Sequence, residues 1–136
     1  MRAVLDPNVV VSGLLSPAGN AAWLLHAAQE GEFELIVSVG LLAELERALA
    51  YPKLRRRIPA EDARGVLEWL SQLGTVTNDP DARPTVRSVD PEDDYLISLA
   101  ESERAILVSG DKDLLDLAEQ IPVLSPARFR DRLSRR

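Results

Sequence analysis

Four acidic residues stand where carboxylates can do chemistry together. Asp6 directly follows an apolar segment typical of a buried strand, and Asp111 follows a second such segment across Gly110. Glu44 lies in the second turn of a predicted helix, and Asp93 lies at the start of another. In sheets built from parallel strands, ligand sites collect beyond the carboxyl ends of the strands. We therefore expect these four side chains to face one edge of a sheet.

Carboxylates gathered in this way predict a metal site. Like charges repel each other and resist ionisation unless a cation compensates them. The chain has no cysteine and a single histidine, so the ligands would be oxygen atoms, which select hard ions such as Mg²⁺ or Mn²⁺. Ions of this kind activate water and stabilise charge on the leaving oxygen of a phosphate ester. The acids thus indicate metal-dependent hydrolysis of phosphodiesters.

Each acid also has a purely structural explanation. Asp93, its neighbour Asp94 and Asp111 can cap helices or turns, because carboxylates accept hydrogen bonds from the free N–H groups there. Glu44 can be an ordinary solvent-facing helix residue. Asp6 is harder to explain in this way, since an unpaired charge beside a buried strand is costly.

The elements that must position these acids alternate between strands and helices. Strands are predicted at residues 1–5, 33–37, 75–77, 105–109 and 121–124. Helices are predicted at 9–15, 21–30 with Asn20 as N-cap, 39–50 with Ser38 as N-cap, 59–73, 91–102, 114–119 and 126–133. This alternation favours a three-layer α/β/α fold with a mostly parallel central sheet.

Length and composition agree with one folded unit. The chain has 136 residues, of which 46% are apolar, and no repeat or linker divides it. We therefore expect residues 1–136 to form a single domain. The absence of cysteine excludes disulfides, thiolate nucleophiles and zinc sites of the cysteine type. Neither a leader nor a membrane-spanning run is recognisable, so the expectation is a cytoplasmic protein without membrane contact.

Four segments of the chain resemble, in order, the motifs of the PIN-domain family. Residues 1–12, MRAVLDPNVVVS, are similar to the family's opening strand followed by Asp-Thr-Asn. LLAEL at 41–45, DPEDDYLI at 90–97 and VSGDKDLL at 108–115 resemble the second, third and fourth motifs. The resemblance implies a PIN-like fold and a metal-dependent endoribonuclease. Such proteins are often the VapC-like toxin of a toxin–antitoxin pair, and often homodimers.

The resemblance also implies roles for individual residues. The acidic quartet around Mg²⁺ or Mn²⁺, which would carry catalysis, is Asp6, Glu44, Asp93 and Asp111. Asp113 would be an accessory metal ligand, and Asn8 and Ser109 would orient ligands or water. Asp94 is the alternative third acid. Asp93 is preferred because its separation of 18 residues from Asp111 fits the family better.

One departure from the family pattern supports a rival interpretation. Pro7 stands where the family usually has threonine, which removes a hydroxyl and a backbone donor. The rival is a PIN-like RNA- or protein-binding module that is catalytically weak or inactive. A second alternative is a phospho-acceptor receiver-like domain. That class normally needs a lysine after a late strand, whereas Lys112 is adjacent to Asp111.

Charge is distributed unevenly along the chain. The net charge of −6 argues against general coating of nucleic acid, but residues 78–119 carry twelve acids against four bases and residues 123–136 carry five arginines against one acid. Candidate contacts to an RNA substrate, or to an acidic partner such as an antitoxin, are Lys53, Arg55, Arg56, Arg57, Arg128, Arg130 and Arg132. The same residues can equally serve only to solubilise the surface.

Overall fold

The computed structural model describes residues 1–135 and has a five-stranded sheet at its centre. The strands are β1 (Arg2–Leu5), β2 (Glu34–Ser38), β3 (Thr75–Thr77), β4 (Ile106–Val108) and β5 (Val123–Leu124). Their spatial order is β3-β2-β1-β4-β5, and each neighbouring pair is parallel. The predicted α/β class with a mostly parallel sheet is therefore confirmed.

This strand order creates a switch point at the middle of the sheet. From β1 the chain moves outward through β2 to β3, and it then returns to the other side of β1 to form β4 and β5. Connections on the two sides of the switch point diverge, which leaves a crevice beyond the carboxyl ends of β1 and β4. Asp6 follows β1 and Asp111 follows β4, so both acids lie at this crevice.

Helices flank the sheet along the whole chain. They are α1 (Pro7–Leu15), α2 (Asn20–Gln29), α3 (Val39–Leu49), α4 (Pro52–Arg55), α5 (Ala60–Leu73), α6 (Asp94–Glu103), α7 (Lys112–Leu115) and α8 (Pro126–Ser134), with a 3₁₀ turn at Pro91–Asp93. Helix α6 packs on β1 and β4, α3 and α5 pack on β2, and α8 packs on β5.

The inner strands are buried because both faces of the sheet are covered there, whereas the edge strand β3 is largely exposed. Ala3, Val4 and Leu5 of β1 are at most 1% exposed, as expected of a central parallel strand. Phe129 of α8 is fully buried and packs edge to face on Phe33, with ring centroids 5.1 Å apart. This contact fastens the last helix to the segment before β2.

Local signals predicted several element ends correctly. Ser38 caps α3 by accepting a hydrogen bond from the Leu41 N–H at 3.0 Å, and Pro126 occupies the first turn of α8. Asn20 does not cap α2, which corrects the prediction. Gly19 is the N-cap in an extended conformation, Asn20 is already helical, and its side chain accepts instead from Arg130.

Two short helices differ from the sequence prediction. The helix expected at 114–119 begins earlier, at Lys112, because Asp111 caps it through the Asp113 N–H, and it ends at Leu115. Helix α4 was not predicted; Pro52 opens it at a position where the missing N–H is not needed.

No single helix within residues 1–135 has the length and apolar character to cross a membrane. Helices α1 and α2 together reach that length and composition, but they are bent by 101° at the break between them.

Candidate functional site

Asp6 is a buried carboxylate at the switch point of the sheet. It is 5% exposed and serves as N-cap of α1, with Oδ1 accepting from the Asn8 N–H at 3.0 Å. Its Oδ2 accepts from the Ser109 hydroxyl at 2.8 Å. Burial raises the pKa of Asp6, the two hydrogen bonds oppose this rise, and the nearby charges of Asp111 and Glu44 add to it. The fold thus holds a carboxylate where ionisation is unfavourable.

Asp111 is connected to Asp6 through Ser109. The Ser109 hydroxyl accepts a hydrogen bond from the Asp111 N–H at 3.0 Å while it donates to Asp6. The Asp111 carboxylate accepts from the Asp113 N–H at 2.9 Å and caps α7. Asp111 therefore has the capping role of the structural explanation and also faces the other acids. Asp113 itself is exposed.

Asp93 faces the same crevice from the start of α6. Burial raises its pKa to about 6, and the charges of Asp6, Asp90 and Asp111 contribute. A hydrogen bond with the Asp111 side chain raises it further, because the protonated Asp93 carboxyl can donate to the Asp111 carboxylate. Three carboxylates, which follow β1, follow β4 and precede α6, thus act on one another, and the pKa of one of them is raised to about 6.

Asp94, the alternative third acid, is used elsewhere. Its Oδ2 accepts from Arg87 Nε at 2.6 Å, and its Oδ1 accepts from the Ser88 N–H at 2.7 Å. Burial acts to raise the pKa of Asp94, but the hydrogen bonds from Ser88 and Arg87 outweigh it and lower the pKa. Asp94 therefore anchors the loop before α6, and the geometry favours Asp93 as the third acid.

Glu44 lies across the crevice from these acids, on α3. It lines a cavity of 170 Å³ together with Asp6, Asn8 and Asp93, and its charge raises the pKa of Asp6. Its own carboxylate is occupied, because Oε2 accepts from Arg47 Nη2 at 2.6 Å. Glu44 is thus near the other acids but turned to an arginine one helical turn away.

Whether these residues fit a divalent cation depends on two observations. The ligand types fit, because all the candidate metal ligands are carboxylates. The pKa values of Asp6 and Asp93 are raised by burial and by neighbouring negative charge, which a hard cation would compensate. The positions fit less well. Within residues 1–135 no three His, Asp or Glu side chains are arranged to hold an ion as they stand. The chemistry suits Mg²⁺ or Mn²⁺, and the side chains must move to surround it.

Two further residues at the site were missed by sequence reasoning. Asp79 accepts from the Ser38 hydroxyl at 2.6 Å and from the Gly40 N–H at 2.7 Å, at the start of α3. Gly40 permits this approach, since a Cβ there would lie 2.5 Å from Asp79 Oδ2. Asp79 follows the end of β3 by two residues, so the rule that selected Asp6 and Asp111 could have found it.

Tyr95, the second missed residue, contributes a buried hydroxyl. This hydroxyl has no hydrogen-bond partner in the described part of the chain. Burial raises the pKa of Tyr95, and the charges of Glu44, Asp6, Asp79 and Asp93 raise it further. The phenol is therefore neutral and remains available as a hydrogen-bond donor among the acids.

The 170 Å³ space lined by Asp6, Glu44 and Asp93, which we call the acid crevice, adjoins a larger cleft. The cleft has a volume of 630 Å³, and its lining residues are Gly40, Glu44, Arg47, Ala48, Tyr51, Asp79, Glu92 and Tyr95. Glu44, Ala48, Glu92 and Tyr95 line both spaces, so the two lie side by side. A ligand in the cleft would contact Glu44 and lie next to the other acids.

The predicted basic contacts do not line either space. Arg55 donates to the Leu49 carbonyl at 3.3 Å, and Arg130 lies over the Trp23 ring at 4.7 Å from its centroid. Arg128 and Arg132 line a separate groove of 450 Å³ beside α8. Lys53, Arg56 and Arg57 belong to α4 and the turn after it, away from the crevice lining. None of these seven basic residues lines the two spaces beside the acids.

Comparisons with known proteins agree with this architecture. The sequence model of the family described as "PIN domain" matches residues 2–113, which include Asp6, Glu44, Asp93 and Asp111. The chain belongs to the PIN domain family. It is 29% identical over 121 residues to protein MJ1680 of Methanocaldococcus jannaschii, an alignment that covers 88% of this chain and 77% of that protein.

Two solved structures share the fold. PAE2754 from Pyrobaculum aerophilum superposes with a TM-score of 0.64 at 19% identity, covering 100% of this chain and 97% of that chain. A chain of VapBC2 from Rickettsia felis, solved with a DNA fragment from the promoter, superposes with a TM-score of 0.63 at 16% identity, covering 92% and 98%. At these identities the likeness concerns the fold.

Proposed function

We propose that this protein is a ribonuclease that hydrolyses RNA phosphodiesters with Mg²⁺ or Mn²⁺ bound at Asp6, Glu44, Asp93 and Asp111. The observation that carries the proposal is the meeting of Asp6, Asp93 and Asp111 at the sheet's switch point, where the pKa of Asp93 is raised to about 6. Such carboxylates are electrostatically unsatisfied without a cation. Membership of the PIN domain family supports a nuclease.

Each residue of the site would have a distinct role in catalysis. Asp6 is immobilised by Asn8 and Ser109, so it suits the role of a fixed ligand. The raised pKa of Asp93 belongs to the metal-free acids; a bound cation would compensate the neighbouring charges, and the ionised Asp93 could then ligate the cation or accept a proton from an attacking water. The cation, when bound, would supply charge stabilisation at the phosphate and at the leaving oxygen. The neutral Tyr95 hydroxyl can donate a hydrogen bond to a substrate oxygen.

Pro7 disturbs the site less than its sequence position suggested. It is the first residue of α1, where the N–H of any residue would lack a partner within the helix. The substitution therefore costs no helix hydrogen bond. The threonine hydroxyl remains missing, and this lowers the expected rate more than the expected stability.

We further propose an antitoxin partner and a homodimer. The fold of this chain superposes on a chain of VapBC2 over 92% of its length, and that complex is described as bound to promoter DNA. A toxin role in the cytoplasm, held inactive by an antitoxin, is consistent with a small nuclease whose acid cleft is open to solvent. Expression of the chain with and without its neighbouring genes, followed by growth measurement, tests this role.

The nuclease itself is tested with single-stranded RNA oligonucleotides and purified protein. We expect cleavage with Mg²⁺ or Mn²⁺, loss of cleavage with chelator, and loss in Asp6→Asn, while Asp62→Asn, an exposed acid on α5, cleaves like the wild type. Cleavage that persists with chelator and in Asp6→Asn would contradict the proposal. RNA binding without cleavage would favour the second candidate, an inactive module, which the missing hydroxyl at Pro7 and the open acid arrangement support.

The receiver-like alternative finds no support in the geometry. Lys112, the lysine nearest to the acids in sequence, is exposed on α7 and pairs with Asp116 at 3.2 Å. A phospho-acceptor site would need that ammonium group beside the acceptor carboxylate.

A further inference from the structure

Arg47 lines the larger cleft that lies beside the acid crevice. It lies on α3, one turn beyond Glu44, and its side chain is 68% exposed. Among the described residues that line the 630 Å³ cleft, it is the only basic one, and Glu44, Asp79 and Glu92 are acidic. Any anionic ligand that enters this cleft meets one positive charge against three negative ones.

The present partner of Arg47 is a candidate metal ligand. Arg47 Nη2 and Glu44 Oε2 are 2.6 Å apart, within the range of a charge-assisted hydrogen bond. Glu44 Oε1 takes no part in this contact, but no three acids in residues 1–135 surround an ion as they stand, so Glu44 has to turn from Arg47 towards Asp6 and Asp93 to join them around a cation. Glu44 must therefore give up Arg47 before it joins the acids around a cation.

Separating Arg47 from Glu44 should cost little free energy, because the pair is open to solvent. The side chains of Arg47 and Glu44 are 68% and 47% exposed, and exposed ion pairs contribute little to stability. The need to break the pair before the cation binds should therefore lower the cation affinity of the wild type by only about twofold to fivefold.

Arg47 lines the cleft together with Glu92, whose charge acts on its guanidinium. An arginine freed from Glu44 therefore keeps an acidic neighbour in the cleft. A guanidinium presents several N–H donors in a planar fork, which matches the oxygen atoms of a phosphate group. The cleft shares wall residues with the crevice that holds Asp6 and Asp93. A phosphate held by Arg47 would lie next to the acids.

We propose that Arg47 is a substrate-positioning residue with two alternative partners. In the metal-free protein it pairs with Glu44, and when Glu44 ligates a divalent cation it binds a phosphate group of single-stranded RNA beside the scissile bond. This inference rests on the proposed ribonuclease function. It predicts that Arg47 opposes binding of the cation and promotes binding of the substrate.

The test measures these two opposite effects in Arg47→Gln. Calorimetric titration with Mn²⁺ alone should show affinity about twofold to fivefold higher than in the wild type. Steady-state cleavage of an RNA oligonucleotide in Mg²⁺ should show KM raised about tenfold, since a charge-assisted hydrogen bond is lost, with a smaller change in kcat. Arg47→Lys should restore part of the KM effect, because it keeps the charge without the fork.

Arg64→Gln is the matched control, because Arg64 is an exposed arginine on α5 outside both spaces. It should change neither constant. Wild-type binding and cleavage with unaltered constants in Arg47→Gln would overturn this inference and leave the ribonuclease standing. Wild-type protein that neither binds Mn²⁺ nor cleaves RNA would overturn both.

Discussion

The Ser109 hydroxyl donates a 2.8 Å hydrogen bond to Asp6 Oδ2 and joins the ends of two neighbouring strands that are 103 residues apart in sequence. Both residues are buried, Ser109 completely and Asp6 to 5% exposure. The same hydroxyl accepts from the Asp111 N–H, so one side chain positions two acids. Ser109 was predicted to orient ligands or water; in the structure its hydroxyl contacts these two acids.

Ser109→Ala should lower the stability of the protein and weaken cation binding. A buried carboxylate would lose one of its donors, which costs about 1–3 kcal/mol of unfolding free energy. Urea unfolding measures this loss, and Mn²⁺ titration measures the affinity. Ser71→Ala, which removes an exposed hydroxyl bonded to its own helix, is the control and should be nearly neutral. Equal stability of the two variants would show that Ser109 does not support Asp6.

The stability of the metal-free protein should depend on the protonation of Asp93. Its pKa is raised from 3.8 to about 6, so the stability contributed by the neutral carboxyl is fully present below pH 3.8 and is lost as the pH rises through about 6. Asparagine does not ionise, so Asp93→Asn should not lose stability at this position as the pH rises. Thermal unfolding in chelator should therefore show the variant more stable than the wild type at pH 8 and no more stable at pH 4. A difference that is constant between these pH values would contradict the shift.

Asp94→Asn should destabilise the protein and leave its cation binding intact, which is the opposite of what we expect of Asp93→Asn. Asp94 accepts from Arg87 and Ser88 with little exposure, so the variant should lose about 1–3 kcal/mol of unfolding free energy at pH 7. Its Mn²⁺ affinity should be retained, because its carboxylate faces the loop. Asp93→Asn should lose that affinity while it stays folded. If Asp94→Asn lost the affinity and Asp93→Asn kept it, the third acid would have to be reassigned.

Much of the fold was predictable because its signals are local. Buried strands appear as short apolar runs, and Ser38 caps a helix by a contact three residues along the chain. Position after a strand sufficed to identify Asp6 and Asp111 as residues at one sheet edge. The error at Asn20 arose because Gly19 and Asn20 can both begin a helix; the Asn20 side chain accepts from Arg130, 110 residues away, and does not cap α2.

The sequence by itself determined a parallel α/β sheet and the acids at its edge, since both follow from apolar periodicity and from the order of residues after each strand. Only the tertiary structure decided that Asp93 meets Asp111 while Asp94 meets Arg87, and that Asp79 joins Ser38 at the start of α3. Adjacent residues such as Asp93 and Asp94 share almost the same local sequence. The direction in which each points is set by the packing of α6 against β1 and β4, which no local pattern records.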